Sequence, residues 1–140
     1  MKTSLFNDTI ENIRTAADII RDGGLVAFPT ETVYGLGADA LNSEAVGKVY
    51  TAKGRPSDNP MIVHIAETSE LAGLTDDISE DMRVLMDRFW PGPMTMIVRR
   101  KDIVPDVTTG GLDTVGVRLP SSDVARSLIK ESGCPIAAPS

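Results

Sequence analysis

Lys53-Gly54-Arg55-Pro56 sets two cations two residues apart between a glycine and a proline. Residues two apart on a helix point in different directions, so the spacing predicts a turn in which both heads converge on one anion. A guanidinium forks around phosphate or carboxylate oxygens, and an ammonium adds a point charge. That chemistry suits a polyanionic small molecule. Upstream, Pro29-Thr30-Glu31-Thr32-Val33-Tyr34-Gly35 puts two hydroxyls, a carboxylate and a phenol just past the C-terminal end of an expected strand. Ligands of α/β sheets bind beyond such ends. The cluster can grip a small zwitterion, or its threonines can satisfy local backbone in a turn. The residues alone leave both open.

Four further residues carry possible chemistry. His64 sits inside an apolar strand, Met61 to Ile65, near its end. It is either a core histidine with a satisfied ring or a ligand group, level with the Thr30 loop if the two strands are parallel neighbours. Arg118 is a charge in the otherwise apolar Val115-Gly116-Val117-Arg118-Leu119. A buried arginine needs a partner, so an internal salt bridge and a ligand anion are the two candidates. Thr95, after Pro91-Gly92-Pro93-Met94, and Ser140 are polar groups with no role fixed by their surroundings. Arg99-Arg100-Lys101 is a small basic run at a strand exit, read as a solvated edge or an RNA contact.

Other chemistries recede. Gly35-Leu36-Gly37-Ala38-Asp39-Ala40 imitates a dinucleotide fingerprint. Its glycines come well after the strand, and the next strand ends in His64-Ile65-Ala66 rather than at an acid for the ribose. No Walker A loop is present. One histidine and one cysteine cannot build a structural zinc site. Cys134 lies in an apolar run and reads as a buried, inert thiol. A net charge of −6 argues against whole-surface binding of nucleic acid. The N-terminus has no signal-peptide core, which makes the cytoplasm the default, and no apolar run approaches the ~20 residues of a membrane span.

The elements that must position these residues alternate. Asp8 or Thr9 caps a helix carrying Ile10, Ile13, Ala17 and Ile20, with Glu11 as return arm, and Gly23-Gly24 stops it. Leu25 to Phe28 is a short buried strand, after which Ser43 caps a helix ending at Gly54. The strand around His64, a helical stretch near Thr68 to Leu74, and a helix capped by Ser79 follow; Met82, Leu85, Met86 and Phe89 form the inward stripe of the latter. Then come strands at Met94 to Val98 and Thr114 to Leu119, the glycine turn Thr109-Gly110-Gly111, a helix opened by Ser122 or Asp123, and a strand at Pro135 to Ala138. The class is α/β. Two consecutive strands without a helix between them predict a mixed sheet. The 140 residues fit a single domain, and the last strand has no element after it to cover it.

Read together, these stretches resemble the YrdC/TsaC family of threonylcarbamoyl-AMP synthases. The anchors are Gly23 to Leu36, Lys53-Gly54-Arg55-Pro56, Asn59-Pro60-Met61 with His64, Trp90 to Thr95, Val117-Arg118-Leu119-Pro120 and Pro139-Ser140, all in order. The resemblance implies a twisted, open α/β sheet with flanking helices and a concave, positively charged cavity, here as one domain over residues 1–140 lacking its C-terminal part. It implies synthesis of threonylcarbamoyl-adenylate and pyrophosphate from L-threonine, bicarbonate and ATP, with Mg2+ accompanying ATP on unassigned ligands. The product would serve N6-threonylcarbamoyladenosine formation in tRNA through downstream transferase proteins. Residue by residue, Lys53 and Arg55 would hold ATP phosphates. Thr30, Tyr34 and His64 would line the threonine and carbamate pocket, and Arg118 would face an anionic group. Thr95 and Ser140 would contact the nucleotide. Ser140 matches a Ser-x-Asn element whose asparagine falls beyond the sequence, which keeps an inactive form open. The alternatives are a double-stranded RNA or tRNA-binding module and a carbamoyl-adenylate domain of the hydrogenase-maturation kind.

Overall fold

A computed structural model of the chain describes residues 2–54, 56 and 59–139. Two of the residues singled out above, Arg55 and Ser140, lie outside the described residues.

Among the described residues six strands form one mixed, open sheet: β1 (Val26–Pro29), β2 (Tyr34–Asp39), β3 (Ile62–His64), β4 (Met96–Arg99), β5 (Thr114–Arg118) and β6 (Ile136–Ala138). Their order is β1-β2-β6-β3-β5-β4. Only the β3–β5 pair is parallel. Five helices among the described residues flank the sheet: α1 (Ile10–Arg21), α2 (Ser43–Lys53), α3 (Glu80–Phe89), the short α4 (Asp106–Thr109) and α5 (Asp123–Ser132), with a 3-10 helix at Thr68–Gly73.

The four longer helices each begin where a side chain satisfies a free amide group, whereas α4, behind Pro105, has no side-chain cap. Thr9 caps α1 by accepting from Asn12 N–H, and Asn12, not Glu11, occupies the capping-box position. Ser79 and Ser122 cap α3 and α5. For α2 the cap is Asn42, one residue earlier than expected; Ser43 is already helical. Gly54, Gly110 and Gly133 end α2, α4 and α5 in the left-handed conformation that L side chains disfavour.

The two faces of the sheet are covered unequally. One buries Ala38, Ala137, Val63, Val115, Val117, Met96 and Val98 in the main core, with Val46, Val49 and Tyr50 of α2 and Met86 of α3. The opposite face buries Phe28, Ile136 and Ala138 under Ile13, Ala17 and Ile20 of α1 and Leu128 and Ile129 of α5. Those two helices cover the β1, β2 and β6 portion. Above β3, β5 and β4 the same face carries the exposed Ile97.

Two expectations are corrected and one is met. Tyr34–Asp39 is a strand rather than a loop, and its glycines are the reason it can be one. The Phe28 ring lies across β2, so that a Cβ on Gly37 would stand 2.6 Å from both Phe28 Cε1 and Ile136 Cγ2. Lys53 is the last residue of α2 and the turn starts at Gly54, the stop expected for that helix. The expected inward stripe of α3 is partly outward: Met86 is buried, whereas Leu85 and Phe89 are exposed.

Candidate active site

The β1–β2 hairpin is the first wall. β2 joins the main sheet only through Ala38 and Asp39, paired with β6. Its outer half pairs with β1 alone, from Val26↔Gly37 to Pro29↔Tyr34. The hairpin is therefore free to depart from the sheet plane, and two contacts record where it goes. Phe28 meets the His64 ring edge-on at a centroid distance of 5.8 Å. Glu31, in the connecting loop, accepts two hydrogen bonds from Ser121, beyond the C-terminal end of β5.

The loop itself is built around Thr30. Its Oγ1 accepts from the N–H groups of Thr32 (3.3 Å) and Val33 (3.2 Å) and donates to the Val33 carbonyl at 2.5 Å. This is the hydrogen-bonded turn that the residues alone left open. Tyr34 is 75% exposed beside it.

His64 and Arg118 form the floor. They are partners in the parallel β3–β5 ladder, so both project to the less-covered face. His64 is buried, with Nδ1 3.2 Å from the Ile136 carbonyl. A carbonyl only accepts, which places the ring hydrogen on Nδ1 and leaves Nε2 an acceptor. Burial lowers the imidazole pKa from 6.5 to about 4, the Ile136 carbonyl opposing and the Arg118 cation reinforcing that fall. The ring is neutral at pH 7. The condition under which His64 would lie level with the Thr30 loop, parallel neighbouring strands, is not met: β2 and β6 lie between β1 and β3, and the hairpin, not the sheet order, brings Phe28 onto His64.

Arg118 meets Thr95. Its Nε and Nη2 donate to Thr95 Oγ1 at 3.1 and 2.7 Å. Among the described residues no carboxylate ion-pairs with Arg118, so the internal salt bridge considered from sequence is not the arrangement found. Thr95 is fixed by its own loop: Trp90 Nε1 donates to the Met94 carbonyl at 2.8 Å, and Gly92 N–H to the Leu119 carbonyl at 2.8 Å. Gly116, also on this face, keeps the floor low; a Cβ there would come within 3.1 Å of Thr95 Cγ2 and 3.2 Å of Ile62 Cδ1.

Glu31 belongs to this constellation, although sequence reading gave it no role of its own. Partial burial pushes its pKa up, but the Ser121 N–H and hydroxyl, with a smaller contribution from Arg118, hold it below its ordinary 4.5. Arg118 thus acts electrostatically on both Glu31 and His64.

Lys53 stands apart. It is exposed at the end of α2, and among the described residues it makes no hydrogen bond or ion pair with Thr30, Tyr34, His64, Thr95 or Arg118. The loop it opens is tied back by Tyr50, whose hydroxyl lies 2.5 Å from the Asn59 carbonyl and 2.9 Å from that of Val107. Arg99, Arg100 and Lys101 each meet a carboxylate, from Asp77, Asp106 and Asp76, with Arg99 exposed and Arg100 largely buried. Cys134 is half-buried, and burial with the nearby Asp39 carboxylate pushes its thiol up to about 12. Among the described residues no group of three or more His, Cys, Asp or Glu side chains gathers around a metal position, and no helix is long and apolar enough to cross a membrane. Two clefts, of about 320 and 470 Å3, lie around the 3-10 helix and include none of the residues expected at the site. Among the described residues the candidate site is a sheet face roofed in part by the β1–β2 hairpin.

Comparison with known proteins agrees with this architecture. The threonylcarbamoyl-AMP synthase of Pyrococcus abyssi is 56% identical over 128 residues, covering 91% of this chain and 38% of that protein. The Bacillus subtilis protein of the same name is 56% identical over 129 residues, covering 91% of this chain and 37% of that one. The chain thus spans less than two-fifths of the length of these relatives. The crystal structure of P. abyssi Sua5 complexed with L-threonine matches with a TM-score of 0.92 at 55% identity, over 94% of this chain and 39% of the other. Escherichia coli YciO matches with a TM-score of 0.83 at 26% identity, over 94% and 64%. The family model for Sua5, YciO and YrdC, described as "Telomere recombination", fits residues 18–140. With that match covering most of the chain, and with the open mixed sheet shared by the solved relatives, the chain belongs to the Sua5/YciO/YrdC family.

Proposed function

We propose that this chain forms part of the catalytic domain of a threonylcarbamoyl-AMP synthase, a nucleotidyltransferase acting on L-threonine, bicarbonate and ATP. The observation that carries the reading is the Arg118–Thr95 pair beside the neutral His64, on a partly uncovered face, in a chain that superposes on a relative crystallised with L-threonine.

The chemistry needs little covalent help. The threonine amine captures carbon dioxide from bicarbonate as a carbamate, with loss of water. A carbamate oxygen then attacks the α-phosphorus of ATP, the bond to the β,γ-diphosphate breaks, and pyrophosphate leaves. Positioning and charge neutralisation dominate such a step. Arg118, oriented by the Thr95 hydroxyl, offers its remaining donors to an anionic group of the amino acid or nucleotide. His64, uncharged, adds no second cation to the floor and offers an acceptor. The Thr30 turn and Tyr34 line the amino-acid side. Lys53 and Arg55 neutralise the phosphates, and Thr95 and Ser140 contact the nucleotide. Mg2+ would accompany ATP and neutralise phosphate charge, on ligands that are not assigned. The adenylate would pass to the transferase proteins that modify tRNA, in the cytoplasm. The paired carboxylates around Arg99, Arg100 and Lys101 disfavour the RNA-binding alternative.

The test is pyrophosphate release from Mg-ATP and bicarbonate, with and without L-threonine, alongside mass detection of threonylcarbamoyl-AMP. Threonine-dependent release with that product is expected. Lys53→Ala is expected to abolish it while leaving the circular-dichroism spectrum unchanged; a variant that keeps full activity removes Lys53 from the phosphate site. A folded chain that releases no pyrophosphate, also when extended at its C-terminus to the length of the relatives, overturns the reading.

A further inference from the structure

Glu31 reaches across 90 residues of sequence. A single oxygen, Oε2, accepts the Ser121 N–H at 2.8 Å and the Ser121 hydroxyl at 2.9 Å. Ser121 lies between Arg118, at the end of β5, and Ser122, the cap of α5. Among the described residues these two are the only side-chain hydrogen bonds between residues 30–33 and residues 119–122. The loop it holds is already a unit, organised internally by Thr30. One carboxylate therefore joins a preformed loop to the far wall of the site.

The choice of a carboxylate has physical reasons. Hydrogen bonds to an ionised acceptor are shorter and stronger than neutral ones. An anion is also favoured near the N-terminus of α5. Both partners are exposed, so the bonds contribute little to global stability; what they fix is a separation.

We propose that Glu31 is a positioning residue: by clasping Ser121 it sets the distance between the Thr30–Tyr34 loop and Arg118, and so the width of the amino-acid pocket. The proposal rests on the synthase reading above. It separates Glu31 from the groups that would touch substrate and gives the loop one closing contact.

The test measures L-threonine and Mg-ATP affinity by calorimetry, with hydrogen exchange at the Ser121 amide, in the parent chain, Glu31→Gln, Ser121→Ala and the double variant. Expected are an about tenfold or greater loss of threonine affinity in Glu31→Gln, a smaller loss in Ser121→Ala, which keeps the backbone bond, and a double variant no weaker than Glu31→Gln. Mg-ATP affinity stays within about twofold, Tm is unchanged, and the Ser121 amide exchanges faster. Unchanged threonine affinity in Glu31→Gln, despite a faster Ser121 amide, overturns the proposal. So does a parallel loss of both ligands and of Tm, which assigns Glu31 to folding alone. A parent chain with a protected Ser121 amide but no threonine binding sinks the synthase reading, and the role of the clasp with it, while leaving the clasp itself in place.

Discussion

His64 and Arg118 are ladder partners on the two parallel strands, a neutral base beside a cation on the same sheet face. The pairing has a measurable cost in acid. The folded chain holds His64 at about 4 against an ordinary 6.5, through burial and through Arg118, with Glu31 and the Ile136 carbonyl opposing. Between those values the unfolded chain binds more protons than the folded one, so stability rises with pH. It is complete above pH 6.5 and is lost as pH falls from 6.5 toward 4. A full shift amounts to on the order of 3 kcal/mol. Urea unfolding from pH 4 to 8 is expected to show this slope, and His64→Gln, which does not titrate, is expected to flatten it. Equal slopes in both chains remove the buried histidine as its source.

Thr95→Val tests how Arg118 is aimed. The hydroxyl accepts from both Nε and Nη2, and valine keeps the shape without an acceptor. Hydrogen bonds to charged groups are worth about 1.5–3 kcal/mol. Affinity for the anionic ligand is expected to fall ten- to a hundredfold, with Tm nearly unchanged because Arg118 is not fully buried. Unchanged affinity for both Mg-ATP and L-threonine means that Arg118 is held by its strand alone.

Much of this arrangement was legible in the sequence, and the failures share a cause. Helix starts at Thr9, Ser79 and Ser122, the glycine stops, and the mixed sheet follow from local chemistry. Strand β2 did not, because Gly35 and Gly37 read as loop residues until the Phe28 ring that crosses them is known. Arg118 was legible as a charge needing a partner and Thr95 as a polar group without a fixed role, but their mutual bond spans 23 residues and depends on the β4–β5 register. Glu31 was visible as a carboxylate in a polar loop; its partner, 90 residues on, was not. Spacing reports what a side chain can do, and tertiary contacts decide what it meets.

The glycines of β2 give a contrast within one strand. At Gly37 an added Cβ would sit 2.6 Å from Phe28 Cε1 and Ile136 Cγ2, both in the buried core. At Gly35 the nearest atoms are at 3.4 Å, an ordinary contact. Overpacking a core costs about 1–3 kcal/mol. Gly37→Ala is expected to lose that much in denaturant unfolding and to disturb His64 through Phe28. Gly35→Ala is expected to stay within about 1 kcal/mol of the parent. Equal effects at the two sites contradict the placement of the Phe28 ring.

Tyr50→Phe isolates the loop that Lys53 opens. The Tyr50 hydroxyl lies between the carbonyls of Asn59 and Val107 and can donate to one at a time. Phenylalanine keeps the buried ring among its neighbours in the core and removes that donor. Asn59 is exposed and Val107 half-buried, so water can reach the freed carbonyl; the loss is that of an ordinary hydrogen bond, about 0.5–1.5 kcal/mol, and Tm is expected to drop by a few degrees. The more telling readout is ligand choice. Asn59 closes the segment that starts at Lys53, so Mg-ATP affinity is expected to fall severalfold while L-threonine affinity holds. An equal fall for both ligands would mean that the hydroxyl supports the whole core rather than the phosphate loop, and an unchanged Mg-ATP affinity would detach residues 53–59 from the nucleotide altogether.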